Sequence, residues 1–509
     1  MIKQSILIVL WLLCMADIAR AQDPYQQDAN GDYIVAEAVD QIPYDPPWVK
    51  KDQCGLIRDL ALRVSNVWNE TNATKVFHNG NMKLHIFHPK VKSGQSPTPL
   101  PVIVYGYGGG FLSPYWQAGD AINIAKALAA KGYIVVIPEY RLGICLFEPK
   151  LAERAIARAV QDMRVVIRYS RYLTSFNYKA DDQAPLTYLG GSSGAFIGIH
   201  NLYLNDYNKP TSVTDQYTVD IANTCSGNMT KNSVISATRN TYDLGTLNRP
   251  WMNGKPWVTP PGTDAEGTQD ITVLLSGAIG NLDWIRNPAP GIAKPKALFM
   301  AQHRLDSVVP FWQGKAFKGF RLFQNPNFDY PTVYGMGSVD NEYQLTPSLQ
   351  PDIYHFYEAK LPCAAGDDTC VPSDAGGETF RVAGIPMKTW YHNVAANGNP
   401  SVLQKIDEFI KFSLEILYPG GASPYRKGAI RGASLTIYPN PVSEQFQVVH
   451  PDMQVDAIQV YDIAGNEVDV RANTLQGKTT VNIGRQVPGT YTVRIIIGDI
   501  VVTRKIVIE

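Results

Sequence analysis

The segment at residues 186–200, LTYLGGSSGAFIGIH, restricts the fold of this chain more than any other stretch. Strand-forming residues lead directly into two glycines, and an apolar run with helical character follows. Gly190–Gly194 has the pattern Gly-x-Ser-x-Gly, in which the small flanking residues let a strand turn sharply into a helix with a serine at the tip. We therefore predict a strand, a tight turn at Ser192 and a helix from Gly194.

The first 21 residues have the character of a cleaved export signal. A lysine precedes an apolar run of about ten residues, which is too short to span a bilayer, and Ala19-Arg20-Ala21 fits the small-residue cleavage pattern. We predict a signal peptide at residues 1–21 and no integral membrane segment. The whole chain has 46 basic and 46 acidic side chains, so its charge gives no reason to expect a nucleic-acid partner.

Export makes disulfide bonds possible, and five cysteines follow the predicted signal peptide. Cys363 and Cys370 flank a short polar loop and are the predicted pair, whereas the pairing of Cys54, Cys145 and Cys225 stays open. None of the cysteines has metal-site spacing and no histidine cluster accompanies them. We therefore expect neither a metal nor another cofactor.

Strand-like and helix-like segments alternate from about residue 82 to residue 417, which is typical of an α/β sheet. The region at about 207–269 lacks clear periodicity and is predicted to be a cap-like insertion. We assign residues 22–417 to one domain. The predicted strands are 82–89, 101–109, 133–143, 186–190, 270–279, 296–303 and 352–360, and the predicted helices are 117–131, 150–170, a helix from 194, and 401–417.

The pattern changes after a linker rich in proline and glycine at residues 418–433. Short alternating strands separated by turn residues occupy 434–509, which predicts a small all-β sandwich.

Two other segments contain groups that Ser192 would need as a catalytic nucleophile, namely oxyanion donors and a carboxylic acid. The glycine-rich loop after strand 101–109 contains Gly109 and Gly110, whose backbone N–H groups are predicted to form an oxyanion hole with that of Ser193. Asp306 follows strand 296–303 and suits the acid that orients a catalytic histidine. Asp283 is the alternative acid.

The catalytic base must be a histidine that follows the acid in the chain. His392 lies in a polar loop shortly before the last helix of the domain and is the predicted base, whereas His355, within a predicted strand, is the alternative. Ser193 competes with Ser192 as nucleophile, because the motif nearly fits when it is shifted by one residue. The complete fit favours Ser192.

Aromatic residues flank the predicted site on several loops. Most aromatic side chains in proteins belong to the core. The substrate-contacting residues predicted from these loops are Phe111, Tyr115, Trp116 and Trp284.

The chain order of Ser192, Asp306 and a later histidine is that of α/β-hydrolases. Residues ~80–417 resemble a secreted α/β-hydrolase of the carboxylesterase/lipase type, and the segments PEYRLG, NLYLND and GAIGNLDWI add to the likeness. Tyr107 stands where the oxyanion loop of such esterases usually has a histidine. The resemblance implies an α/β-hydrolase sheet flanked by helices and the cleavage of carboxylic esters. A serine peptidase on the same fold and a non-catalytic binding or adhesion module are the alternatives.

Residues ~434–509 resemble the C-terminal sorting domain of the type IX secretion system of Bacteroidota. The likeness is carried by LTIYPNPVSEQFQVV, VYDIAGNEV and GTYTVRI. The resemblance implies that the chain interacts with the type IX secretion machinery and is then secreted or held at the cell surface.

Overall fold

The computed structural model describes most of the predicted elements. The described residues are 23–42, 82–111, 119–140, 152–171, 173, 179–181, 183–203, 251–252, 255–256, 267–288, 294–317, 330–359, 379–382, 385–388, 400–418, 435–450, 454–475 and 477–509.

A single sheet of twelve strands organises the molecule, in the order β1-β2-β4-β3-β5-β8-β10-β13-β23-β22-β18-β19. The strands from β4 to β13 in this order pair in parallel, and β3, β4, β8 and β10 are buried along their whole length. Continuous apolar runs such as these are expected of parallel strands covered on both faces. The strands before the C-terminal region are β1 Val35–Ile42, β2 Met82–Pro89, β3 Val102–Gly106, β4 Ile134–Pro138, β5 Thr187–Gly191, β6 Trp251–Met252, β7 Lys255–Pro256, β8 Ile271–Leu275, β9 Ala278–Ile279, β10 Ala297–His303, β11 Gln313–Lys315, β12 Thr332–Gly335, β13 Ile353–Ala359, β14 Thr379–Val382 and β15 Ile385–Lys388.

Helices pack on this sheet in pairs. The second helix packs on the third, and the last packs on the first. The helices are α1 Gly119–Ala130, α2 Ala152–Ser170, α3 Ser193–Tyr203, α4 Asp283–Arg286, α5 Met336–Leu345 and α6 Pro400–Leu417. Among the described residues, no helix combines the length and the apolar character needed to cross a membrane.

A buried polar network joins the two chain segments that flank residues 204–266, most of the predicted cap-like insertion. Arg164 on α2 donates from Nε to Asn201 Oδ1 at 2.6 Å. Asn201, near the end of α3, donates to the Gly267 carbonyl at 3.0 Å and to Gln269 Oε1 at 2.7 Å. Hydrogen-bonded partners of this kind offset the cost of burying an arginine. Within the predicted insertion at about 207–269, residues 207–250, 253–254 and 257–266 lie outside the described residues.

The C-terminal region is an antiparallel sandwich, as predicted. Its first sheet has the order β16-β17-β21-β20, and its second sheet is formed by β19, β18, β22 and β23. Phe446, Val481 and Val493 contribute to a separate apolar core between them. The strands are β16 Thr436–Tyr438, β17 Gln445–Val449, β18 Ala457–Tyr461, β19 Glu467–Val468, β20 Arg471–Leu475, β21 Lys478–Asn482, β22 Gly489–Ile497 and β23 Ile500–Ile508.

The sandwich continues the twelve-stranded sheet through strand pairing that the sequence did not predict. β23 pairs antiparallel with β13, with Ile353 opposite Val502, and the Thr503 N–H donates to the Asp352 carbonyl at 2.5 Å. Lys405 on α6 adds an ion pair with Asp499 at 3.5 Å. The C-terminal strand therefore covers the start of β13, where Ile353 and Tyr354 pair with Val502 and Val501.

Removal of residues 434–509 is expected to destabilise the remaining domain. The shortened chain would expose the backbone N–H and C=O groups at the start of β13 that now pair with β23, and such open groups favour pairing with another chain. We expect a lower midpoint of thermal unfolding than that of the full chain, and concentration-dependent self-association in analytical ultracentrifugation.

Arg485→Ala in the full chain serves as the control, because the Arg485–Glu444 pair is highly exposed and lies within the sandwich. This variant should change neither measurement. A shortened chain that stays monomeric with an unchanged midpoint would show that the β13–β23 pairing contributes little.

Candidate active site

Ser192 lies at the tip of the turn between β5 and α3. Its φ of +52° is in the left-handed region, which costs a residue other than glycine about 1–3 kcal/mol. The Ser192 N–H donates to the Leu275 carbonyl at 2.8 Å, and the Ser192 carbonyl accepts from the N–H groups of Ala195 and Phe196 at 2.9 and 3.1 Å. These bonds hold the strained turn and leave the serine half-buried at the carboxyl end of β5.

The flanking glycines permit direct backbone contact between the helix and two strands. A Cβ atom on Gly194 would lie 1.8 Å from the Gly106 carbonyl oxygen, and one on Gly190 would lie 2.5 Å from the Gly194 carbonyl oxygen. Any side chain there would push α3 away from β3 and β5. The strand, turn and helix predicted from the motif are confirmed, with the helix beginning at Ser193.

The loop at Tyr107–Phe111 follows β3 and passes beside the serine. A Cβ atom on Gly108 would lie 3.1 Å from Ser192 Cβ, so the loop backbone is in contact with this residue. Gly109 and Gly110 have φ values of 128° and 61°. The two glycines predicted to bind the oxyanion therefore lie in the loop that touches Ser192.

Ser193, the alternative nucleophile, has a different environment. It is 2% exposed, and its Oγ lies 3.2 Å from the Tyr140 hydroxyl. The first N–H groups of a helix have no intrahelical acceptor and lie at the positive end of the helix dipole. The position of Ser193 therefore suits a backbone donor, whereas Ser192 presents its side chain at the tip of the turn.

Asp306 follows β10 and is held by three hydrogen bonds. Its Oδ1 accepts from the N–H groups of Val308 and Val309 at 2.8 and 3.0 Å, and its Oδ2 accepts from Gln302 Nε2 at 3.3 Å. Because β5, β8 and β10 are parallel neighbours, their carboxyl ends open on the same edge of the sheet. The predicted acid thus lies at the same sheet edge as Ser192.

Two side chains that the sequence analysis missed organise the Asp306 loop. Gln302, fully buried on β10, also donates to the Val309 carbonyl at 3.0 Å, and its Oε1 accepts from the Met336 N–H at 2.8 Å. Arg304 forms a two-point ion pair with Glu358 on β13, at 2.7 and 2.8 Å. No pattern in the sequence distinguishes Gln302 from its strand neighbours, because its role depends on the loop that folds back over it.

Of the two candidate bases, the structure describes only His355. His355 lies within β13 as predicted, is 6% exposed, and has its ring 4.9 Å from that of Phe299. Its Nδ1 hydrogen-bonds the Asp499 carbonyl in the C-terminal sandwich. These contacts are those of a packed structural histidine. His392 lies outside the described residues.

A third histidine, His200, is buried inside α3. Its Nδ1 lies 2.7 Å from the Phe196 carbonyl, and its Nε2 accepts from the Gly280 N–H at 3.2 Å. These two bonds require a neutral ring with the proton on Nδ1. Burial lowers the pKa of His200 to about 4. His200 therefore links the helix of the serine turn to the segment between β9 and α4.

The remaining predicted residues are only partly described. Trp284 is 5% exposed with its ring centroid 5.5 Å from that of His200, and Phe111 is 4% exposed, so both rings are largely packed in the core. Asp283 is exposed and forms an ion pair with Arg286 at 3.4 Å. Tyr115, Trp116, Cys363 and Cys370 lie outside the described residues. In the part of the chain that the structure describes, potential metal ligands do not gather in groups of three.

Comparison with known families agrees with this architecture. Residues 84–319 match the family described as BD-FAE, and residues 436–509 match the family described as the secretion system C-terminal sorting domain. These matches lie in the two regions that the motifs likened to an α/β-hydrolase esterase and to a sorting domain, and they confirm that resemblance.

Individual proteins are more distant. No curated protein matches the chain. Similar solved structures include Thermogutta terrifontis esterase 2 phosphonylated by cyclosarin, at 16% identity over 46% of this chain and 70% of that chain, with a TM-score of 0.25. The apo form of the same esterase has 14% identity over 46% of this chain and 72% of that chain, with a TM-score of 0.24. At such low scores, the fold assignment rests on the sheet topology and the family matches.

His200 is expected to make the domain sensitive to acid. Its folded pKa of about 4 lies below the ordinary value of 6.5, so its stabilising contribution is complete above pH 6.5 and is lost as the pH falls toward 4. The loss amounts to roughly 3 kcal/mol. Urea unfolding of His200→Gln should show a weaker decline in the free energy of unfolding between pH 7 and pH 4.5 than wild type.

The control for this experiment is Ile199→Val, which removes one buried methyl group from α3 and no titratable group. It should lower the free energy of unfolding to the same extent at every pH and keep the slope of wild type. Equal slopes for wild type and His200→Gln would show that His200 is not the titrating group.

Proposed function

We propose that this protein is a secreted serine hydrolase that cleaves carboxylic esters through an acyl-enzyme intermediate. The proposed nucleophile is Ser192, the base is His392 and the acid is Asp306. The backbone N–H groups of Gly109, Gly110 and Ser193 are the proposed oxyanion donors. Tyr115 and Trp116 are the proposed substrate contacts, because the rings of Phe111 and Trp284 are largely packed in the core.

One observation carries the proposal: Ser192 is held at φ +52° between the glycine loop and the first turn of α3. Strained backbone of this kind persists only where surrounding structure enforces it, and it is often found at functional sites. The position of Asp306 at the same sheet edge and the esterase-like family match support the same reaction class.

The proposed reaction begins when the Ser192 hydroxyl attacks the ester carbonyl carbon and its proton passes to the imidazole of His392. Negative charge then develops on the carbonyl oxygen, where preorganised N–H donors contribute most; losing one such donor lowers kcat by roughly 10²–10³. The alcohol leaves with the proton from His392. Water, activated by the same imidazole, then releases the acid and restores Ser192.

The sorting-domain match supports export of this hydrolase. We propose that the signal peptide at 1–21 directs the chain out of the cytoplasm, and that residues 434–509 are recognised by the type IX secretion machinery. The mature protein would then be secreted or held at the cell surface.

Two measurements distinguish the proposed function from its alternatives. A fluorophosphonate probe labels an activated serine, so the absence of labelling would favour a non-catalytic binding module. A panel of p-nitrophenyl esters with increasing acyl length, feruloyl esters, acetylated xylan and peptide substrates then separates esterase from peptidase and identifies the acyl preference.

Substitution of the two adjacent serines is expected to have unequal effects. Ser192→Ala should abolish hydrolysis of a short-chain p-nitrophenyl ester, because it removes the attacking oxygen. Ser193→Ala should remain active at a reduced rate, because it keeps the backbone N–H. Initial rates and fluorophosphonate labelling provide the comparison, and the reverse order of effects would move the nucleophile to Ser193.

His392→Ala should abolish both ester hydrolysis and labelling while leaving the midpoint of thermal unfolding nearly unchanged. His355→Gln is the matched comparison, since His355 packs on Phe299 and bonds Asp499. That variant should lower thermal stability and retain labelling. An active, labelled His392→Ala enzyme would require another base.

A further inference from the structure

Tyr140 connects parts of the candidate site that are far apart in the sequence. It follows β4 and is 1% exposed. Its hydroxyl donates to the Tyr107 carbonyl at 2.9 Å and lies 3.2 Å from Ser193 Oγ. One hydroxyl group therefore bridges the start of the glycine loop and the start of α3.

The ring of Tyr140 contacts both ends of the same loop. It stacks on the Tyr107 ring with a centroid distance of 4.5 Å, and the Phe111 ring meets it edge-on at 6.2 Å. Such aromatic pairs contribute beyond the burial of their area. The loop that carries Gly109 and Gly110 is thus fixed at its first and last residues by one side chain.

The direction of the hydrogen bonds follows from the donors available. A tyrosine hydroxyl has a single proton, and a carbonyl only accepts, so Tyr140 donates to Tyr107 and accepts from the Ser193 hydroxyl. Burial raises the pKa of Tyr140, which keeps the hydroxyl protonated at neutral pH. The chain Ser193 Oγ–H, Tyr140 O–H, Tyr107 C=O is therefore complete without water.

We infer that Tyr140 is a positioning residue that sets the separation between the two halves of the oxyanion site. Gly109 and Gly110 lie on one half and the Ser193 N–H on the other. The Tyr140 hydroxyl bonds the Tyr107 backbone carbonyl of the first half and the Ser193 side chain of the second. The inference rests on the proposed function, since it concerns the same oxyanion. Donors act only when they lie about 2.7–3.1 Å from the oxyanion, so a small change of separation has a large effect on rate.

The test is Tyr140→Phe, which removes the hydroxyl and keeps the ring stack. We expect kcat for a p-nitrophenyl ester to fall by roughly tenfold or more, with KM changed by less than about twofold, because the oxyanion exists only in the transition state. The affinity for a trifluoromethyl ketone, whose adduct with the serine has a tetrahedral oxyanion, should fall in parallel with kcat.

The matched control is Tyr203→Phe. Tyr203 on α3 is also a buried tyrosine whose hydroxyl is hydrogen-bonded, in this case to the hydroxyl of Tyr343 on α5. Loss of this hydroxyl should leave kcat and the affinity for the trifluoromethyl ketone at their wild-type values. If the loss of kcat came only from breaking a buried tyrosine hydrogen bond, it would appear in both variants.

Ser193→Ala tests the same hydrogen-bond chain from its other end. We expect the double variant Tyr140→Phe/Ser193→Ala to lose less activity than the product of the two single losses, because both changes break the same hydrogen-bond chain.

If Tyr140→Phe does not fold, Ser193→Ala should still lower both kcat and the affinity for the trifluoromethyl ketone. The inference would be wrong if the wild-type enzyme is active and Tyr140→Phe keeps full kcat and full affinity for the inhibitor. If Tyr140→Phe does not fold, the same result for Ser193→Ala would overturn it. A wild-type protein without labelling or hydrolysis would instead overturn the proposed function.

Discussion

The structure of the hydrolase domain depends on the contact between the first turn of α3 and the strands beneath it. Gly194 lies against the Gly106 carbonyl so closely that no side chain fits, and this approach forces Ser192 into its left-handed conformation. The cost of that conformation is met by the fully buried strands around it, and by the hydrogen bond from Ser192 to Leu275. A looser helix would leave the serine without a defined direction.

The parallel sheet brings the serine turn together with the other parts of the candidate site. Because β3, β5, β8 and β10 run in the same direction, their carboxyl ends bring the glycine loop, the serine turn and the Asp306 loop to one edge. Polar side chains then fix the segments relative to one another: Tyr140 between the loop and the turn, and Gln302 beneath the acid. Side chains locked by packing and hydrogen bonds give such sites their precision.

The opposite end of the sheet has a different role. β23 continues the ladder beyond β13 at Ile353 and Tyr354, so the start of β13 is not an open edge. Open edges promote association between chains. A domain matched to secretion sorting therefore also completes the hydrolase sheet, and His355 belongs to this junction through its bond to Asp499.

The sequence by itself determined the parallel strands of the large sheet, helices α1, α2, α3 and α6, the sharp turn at Ser192 and the likeness of both domains. These follow from local periodicity and from glycines that the sharp turn requires. The sequence did not indicate β1 or α5. Only the tertiary structure decided that Tyr140 meets Ser193, that Gln302 supports Asp306, and that β23 pairs with β13. Those contacts join residues distant in the chain, and no local pattern records which side chains the fold will bring together.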